Sequence, residues 1–211
     1  MALRRRSYHH GNLREALIEA AIYLIEKTGP HSFSLSEAAR RAGVSAAAPY
    51  RHFKGRDDLL EEVARLGFIE FGKALSKAYG EGGPTPLDAI QRVGSSYLKF
   101  AEEHQGYYMA MFESGIAITR NSTLYQVYED AFSVLIKVTQ ELVDAAPPET
   151  RPPVSMIANH IWAMSHGVVE LFARSKQSAI TQFSASDILS SGVLIYLNGL
   201  GLLNGTSPER G

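Results

Sequence analysis

Two stretches of this 211-residue chain gather side chains that can do chemistry. Between positions 34 and 56 stand Ser34, Ser45, Tyr50, Arg51, His52, Lys54 and Arg56, with Glu37 the one carboxylate among them. Hydrogen-bond donors and positive charge in such excess suit the holding of phosphate oxygens rather than the breaking of bonds. The second stretch carries His160, Trp162, Ser165, His166 and Glu170, with Glu113 further back. As an enzyme's equipment this set is poor. His160 and His166 stand six residues apart and point to different faces of one helix. There is neither a His-Glu-x-x-His motif nor a glycine-rich phosphate loop. No catalytic residue, metal ligand or cofactor is therefore assigned. The absence of cysteine removes disulfides, thiolate metal sites and thiol nucleophiles as well.

Binding remains. Trp162, His166 and Glu170 are spaced by four, which sets them on one face of a helix, where a polar pair beside an indole can line a pocket. The same spacing fits a buried histidine bonded to a carbonyl or to Glu170. Tyr107, Tyr108, Met109, Met111 and Phe112 form a soft, aromatic cluster that suits an adaptable apolar ligand and equally suits a core. Taken together, the two groups point to a neutral or weakly polar, partly aromatic compound.

The elements that position these residues read as helices throughout. Leu13, Ala16, Leu17, Ala20, Ala21, Leu24 and Ile25 recur at steps of three and four, and Gly29-Pro30 ends that helix. Ser34 and Glu37 form a capping box for a short second helix. Gly43 supplies a tight turn, Val44 plugs its angle, and Ser45 is expected to cap a third helix running to about Phe53. Pro49 lacks an amide and crowds the carbonyl four residues back, so the first turn of that helix should be tightened or distorted. A fourth helix carries Leu59, Leu60, Val63 and Leu66. Later helices are expected at Leu87 to Glu103, Gly106 to Ile118, Leu124 to Ala145, Val154 to Ser175 and Ser186 to Leu203. The expectation is an all-α fold of about nine helices, divided into a head at 1–56 and a helical body at 57–211.

Composition bounds the rest. A hydrophobic share of 45% is enough to bury a core, so disorder is not the default. The net charge of −1 conceals a segregation: through Arg56 there are ten Lys and Arg against four Glu, giving +6, and beyond it eleven against eighteen, giving −7. A basic head on an acidic body suits a module that neutralises phosphates locally. Arg4, Arg5 and Arg6 resemble the charged end of an export signal, but Asn12, Arg14, Glu15 and Glu19 follow, and the expected compartment is the cytoplasm. The apolar stretch from Ile188 to Leu203 falls short of the roughly 20 residues a bilayer needs.

A glycine turn between two short helices is what presents a third element to the major groove. The run Phe33-Ser-Leu-Ser-Glu-Ala-Ala-Arg-Arg-Ala-Gly-Val-Ser-Ala-Ala-Ala-Pro-Tyr-Arg-His-Phe53, followed by Lys54 and Arg56-Asp57-Asp58-Leu59-Leu60, closely resembles the DNA-binding module of TetR-type (TetR/AcrR) regulators. The match extends over about residues 8 to 65. The stretch from Ile161 to Leu171 is similar to the Trp-x-x-x-His-Gly signature of one branch of these proteins. The resemblance implies a homodimer on a palindromic operator in double-stranded DNA, switched by a small-molecule effector, with the last two helices forming the dimer interface. It assigns DNA contacts to Ser34, Ser45, Ala46, Ala47, Tyr50, Arg51, His52, Lys54 and Arg56. Most of these would position the backbone. The first turn after Ser45 offers only alanine methyls to the bases, which leaves Arg51, the arm Arg4-Arg5-Arg6 and DNA shape to carry sequence preference.

Overall fold

The computed structural model describes residues 13–83, 85–118, 123–148, 151–173 and 182–203, and all of the regular structure among them is helical. Helix α1, Leu13–Thr28, buries Leu17, Ile18, Ala20, Ala21 and Ile25 at the spacing that marks one helix face. It stops at Gly29, whose φ of +88° is open to glycine at little cost. Helix α2, Leu35–Arg41, starts in the expected capping box: the Ser34 oxygen accepts the Glu37 amide, and the Glu37 carboxylate accepts the Ser34 amide. Gly43, at φ +73°, then turns the chain, and its amide and that of Val44 donate back to the Arg40 and Ala39 carbonyls.

The third element differs from expectation. Instead of an α-helix capped by Ser45 and running to Phe53, there is a 3-10 turn over Ala48–Arg51 whose cap residue is Ala47 and makes no side-chain cap bond. Pro49 supplies the reason. It cannot donate to the Ser45 carbonyl, which instead accepts the Ala48 amide at 3.0 Å, an i to i+3 bond.

The remaining α-helices are α3, Arg56–Gly80; α4, Pro86–Glu103; α5, Gln105–Phe112; α6, Thr123–Asp144; α7, Val154–Val168; and α8, Ala185–Gly199. A π-helical stretch, Val169–Ala173, extends α7. The described residues thus hold eight α-helices and the 3-10 turn. Helices α4 and α8 begin earlier than expected because Thr85 with Asp88, and Ser184 with Asp187, form two further capping boxes. Helix α5 ends six residues earlier than expected, and Gly115 follows at φ +70°.

The chain divides into two compact units. One runs through Gly67 and takes in Gly106–Ile118; the other holds Phe68–Gln105 and the chain from Thr119. In the first, α5 is built into the core. A Cβ placed on Gly106 would lie 2.7 Å from Ile22 Cγ2 and 2.8 Å from the Ile22 carbonyl oxygen, and one on Gly67 would lie 2.8 Å from Met111 Sδ. The Gly106 amide donates to Glu26, and His31 Nε2 sits 3.0 Å from the Glu113 carbonyl oxygen. In the second unit Phe71 is fully buried, with Tyr97 and Trp162 meeting its ring nearly edge-on at centroid distances of 5.0 and 5.8 Å. Pairs of this geometry contribute about 0.5–1.5 kcal/mol each beyond the area they bury.

Gly106→Ala tests the α5 seam. The better helix propensity of alanine favours the variant by about 1 kcal/mol at most, whereas overpacking costs about 1–3 kcal/mol. Because the obstruction includes backbone, the variant should be less stable than the parent. A urea midpoint equal to or above the parent's would show that the seam has slack.

Candidate nucleic-acid interface

From Ser45 to Lys54 the head presents side chains to solvent almost continuously. Ser45, Ala46, Ala47, Tyr50, Arg51, His52 and Lys54 are all exposed, Tyr50 by 61%. Pro49 and Phe53 are buried beneath them and anchor the turn. Pro49 and Phe53 are tied directly, the Phe53 amide donating to the Pro49 carbonyl at 3.0 Å, and the exposed Tyr50, Arg51 and His52 come between these two anchors. Phenol, guanidinium, imidazole and ammonium donors are thereby presented within five residues, which can hold several phosphate oxygens or one base edge.

The other predicted contacts are placed differently. Ser34 is exposed, but its hydroxyl donates to Glu37 at 2.8 Å. The two Ser34 hydrogen bonds hold the Glu37 carboxyl below its ordinary value, so an anion already stands at the start of α2. Arg56 is engaged as well: its Nη2 donates to the Pro30 carbonyl at 2.8 Å, Nη1 lies 3.3 Å from Asp57, and the guanidinium is 5.7 Å from the Phe33 ring centre. Its buried Nε has no partner. Lys54 differs, with an exposed side chain and only its backbone amide used, donating to Asp58 at 2.9 Å. Arg4, Arg5 and Arg6 lie outside the described residues.

Several cations of the first unit escaped the sequence reading. Arg14 lies 2.7 Å from Glu62 and over Phe53 at 5.6 Å, while Arg65 makes two 2.8 Å bonds to the same carboxylate. Arg41 lies over the Tyr23 ring, with Lys27 nearby. The four-residue step from Tyr23 to Lys27 was the available signal, but the approach of Arg41 from another helix leaves no mark in local sequence.

The predicted ligand residues fall in different units. Tyr108 is fully buried in the first, 4.9 Å from Phe112 between ring centres, with Met111 buried and Tyr107 partly so. In the second unit, Trp162 packs with Phe71, Tyr97, Tyr128 and Phe132 at 5.2–6.1 Å. His166 Nδ1 is 3.2 Å from the Tyr97 hydroxyl. Glu170 lies in the π-helical stretch that extends α7. His160 faces elsewhere, 2.7 Å from the Tyr196 hydroxyl, and Ser165 donates to the Ile161 carbonyl. A cleft of about 580 Å³ along α3 and α4 is lined by Lys77, Arg92 and Lys99 among others, and a hollow of about 290 Å³ by Phe68, Gly72 and Asp130. Neither includes Trp162 or His166. Among the described residues no group of three or more His, Asp or Glu could hold a metal ion, and no helix is long and apolar enough to cross a membrane.

Comparison with known proteins places this geometry. The family model described as bacterial regulatory proteins, tetR family, matches residues 17–63, and one described as Tetracyclin repressor-like, C-terminal domain, matches residues 90–186. The chain belongs to the TetR family. This is a family of regulators and not of enzymes. Among TetR-family relatives, the chain is 31% identical over 80 residues to the HTH-type transcriptional regulator BetI 1 of Chromohalobacter salexigens, covering 38% of this chain and 40% of that one. It is 30% identical over 80 residues to AcrR of Shigella flexneri, covering 38% and 37%. The match thus spans less than half the length of these relatives. A Rhodococcus sp. RHA1 protein of unknown function superposes with a TM-score of 0.77 at 27% identity, over 92% of this chain and 98% of the other. PfmR of Thermus thermophilus, at 17% identity and a TM-score of 0.67 over 91% and 99%, shares the fold.

The Arg14–Glu62–Arg65 cluster sets an acid limit on the first unit. Arg65, and after burial's opposing effect Arg14, hold the Glu62 carboxyl below its ordinary 4.5. A depressed carboxyl contributes stability that is complete above its unfolded value and is lost as pH falls through the folded one. Glu62→Gln should therefore lower stability at neutral pH and flatten the loss on acidification between about pH 5 and 3. Parallel urea midpoints for parent and variant across that range would contradict this.

Proposed function

We propose that this chain is a transcription regulator of the cytoplasm that grips a palindromic operator in double-stranded DNA as a homodimer and releases it when a small apolar or aromatic effector binds. The observation that carries the DNA half is the exposed run from Ser45 to Lys54, held on the buried anchors Pro49 and Phe53. In this reading residues 1–56 are the DNA-binding domain, with Arg4, Arg5 and Arg6 as an arm, and residues 57–211 the effector-binding and dimerisation domain. Tyr50, His52 and Lys54 hold phosphates; Arg51 reads a base edge; Ser45, Ala46 and Ala47 allow close approach. Ser34 enters through its place at the start of α2 rather than through its hydroxyl, which is donated to Glu37. Arg56 adds charge at the start of α3 while its guanidinium holds the loop at Pro30.

Two copies are needed to meet two half-sites one helical turn apart. Helices α7 and α8 suit that role: Met156 and Ile195 are exposed, the latter by 73%, and a Cβ on Gly167 or Gly192 would meet nothing within 4 Å. Trp162, His166 and Gly167 fall together on α7, in keeping with the Trp-x-x-x-His-Gly branch. The effector would act through α3, which supplies residues to both units. Taking a population from 1:99 to 99:1 needs a difference of about 5.5 kcal/mol in affinity for the two states. One observation favours a second reading, a regulator that binds DNA constitutively: the Trp162 ring is already packed by four aromatic neighbours. Thermal shift against a metabolite panel separates the two. A compound that stabilises the protein and weakens its DNA binding supports the switch, and none doing both supports the constitutive binder.

Lys54→Ala should weaken binding to all duplexes and lower the salt slope by about one, while Arg56→Ala should chiefly lower the stability of the head. A full salt slope retained by Lys54→Ala would remove it from the phosphate contacts. Gly167→Ala should raise the stability of an isolated chain by up to about 1 kcal/mol yet weaken association if α7 forms the interface. Sedimentation showing equal association of parent and variant would move the interface elsewhere.

A further inference from the structure

Arg41, the last residue of α2, holds its guanidinium carbon 3.1 Å from the centre of the Tyr23 ring, and Lys27 Nζ lies 5.7 Å from the same centre. All three residues are exposed, Tyr23 by 38%. None of the ion pairs among the described residues engages Lys27, Arg40 or Arg41. The acids nearest in sequence are accounted for. Glu37 is held in the Ser34 capping box, Glu26 accepts the Gly106 amide, and Glu19 stands one turn before Tyr23 without an ion pair to the platform. A planar cation laid flat on a ring is fixed in orientation, with its N–H edges free for an oxyanion. An ammonium beside it adds a second charge that can point at the same anion.

Position chooses the anion. Arg41 stands four positions before Ser45, where the exposed recognition run begins, so their Cα atoms are at most about 14 Å apart. The turn at Gly43 shortens that span. A major groove is about 12 Å wide between its bordering backbones, so an element seated in it has a phosphate strand within such a reach. We propose that Tyr23, Lys27 and Arg41 form a phosphate-holding platform that takes the DNA backbone beside the segment occupied by the recognition turn. This rests on the DNA-binding reading above and adds three residues to the contacts assigned there. Tyr23 acts as a positioning residue, through Arg41.

The test uses the full chain and a mixed-sequence duplex of roughly 40 base pairs, with affinity followed by fluorescence anisotropy over a series of salt concentrations. Removing two phosphate contacts in Lys27→Ala/Arg41→Ala should flatten the slope of log affinity against log salt by about 1.8. The charge-matched Lys73→Ala/Lys137→Ala, which alters α3 and α6 outside the head, should leave it unchanged. Tyr23→Ala should weaken binding and Tyr23→Phe should restore it, because the ring and not the hydroxyl carries Arg41. Circular dichroism melts establish that each variant is folded. If the platform variant keeps the parent's slope while Lys54→Ala loses about one, the platform is wrong and the DNA-binding reading stands. If the parent shows no salt-dependent binding, both are wrong. If the platform variant keeps its DNA binding but loses a parental affinity for polyglutamate, the surface serves an acidic peptide and the DNA assignment is overturned.

Discussion

Pro49 has no amide hydrogen, and the surface that the head presents depends on where the chain places that missing donor. An α-helix beginning at Ser45 would need the amide of residue 49 for its first internal bond. Without it the chain closes a tighter turn over Ala48–Arg51, with three residues per turn in place of 3.6. The buried Phe53, four positions on, donates its amide to the carbonyl of the buried Pro49, and Tyr50, Arg51 and His52 between them stay outside. The capping box at Ser34 and the left-handed Gly43 serve the same end, because they fix the helix and the turn from which this segment departs. The alanines at 46 and 47 then appear as a consequence of shape: small residues leave the donors of the turn as its most prominent groups.

The cations of the first unit divide by whether an acceptor already holds them. Arg14 and Arg65 grip Glu62, and Arg56 grips the Pro30 carbonyl. These are internal ties, and their charge is largely spent on the protein itself. Arg51, Lys54, Lys27 and Arg41 make no ion pair among the described residues. A surplus of six positive charges through Arg56 therefore overstates what is free to meet a phosphate, and the pairing decides which cations count.

What could be read from the sequence were the features whose causes are local. Helix α1, the capping box at Ser34, the turn at Gly43 and the distortion at Pro49 each follow from residues within four positions of one another. The boxes at Thr85 and Ser184 obey the same rule with Asp in the third position, and they are easily missed because that acid is shorter than the usual Glu. The rest has no local signature. The seam of α5 against α1 joins Gly106 to Glu26 across eighty positions, and the grip of Arg56 on Pro30 crosses twenty-six. The π-helical stretch at Val169–Ala173 likewise leaves no mark in a pattern read at a constant period of 3.6.

Trp162 and the exposed recognition run obey opposite physical demands. A residue that meets DNA must be exposed in the free protein, and the proposed contacts Tyr50 and Arg51 stand uncovered. A residue that lines an internal pocket gains nothing from exposure, and an indole facing Phe71, Tyr97, Tyr128 and Phe132 looks the same whether it waits for a ligand or fills a core. The distinguishing property is the work needed to part those rings. Edge-on aromatic pairs are worth about 0.5–1.5 kcal/mol each, so opening two or three of them costs a few kcal/mol, comparable with the roughly 5.5 kcal/mol that a full switch requires. An apolar, aromatic effector could recover that cost by replacing the contacts it displaces, whereas a charged one would add desolvation to it.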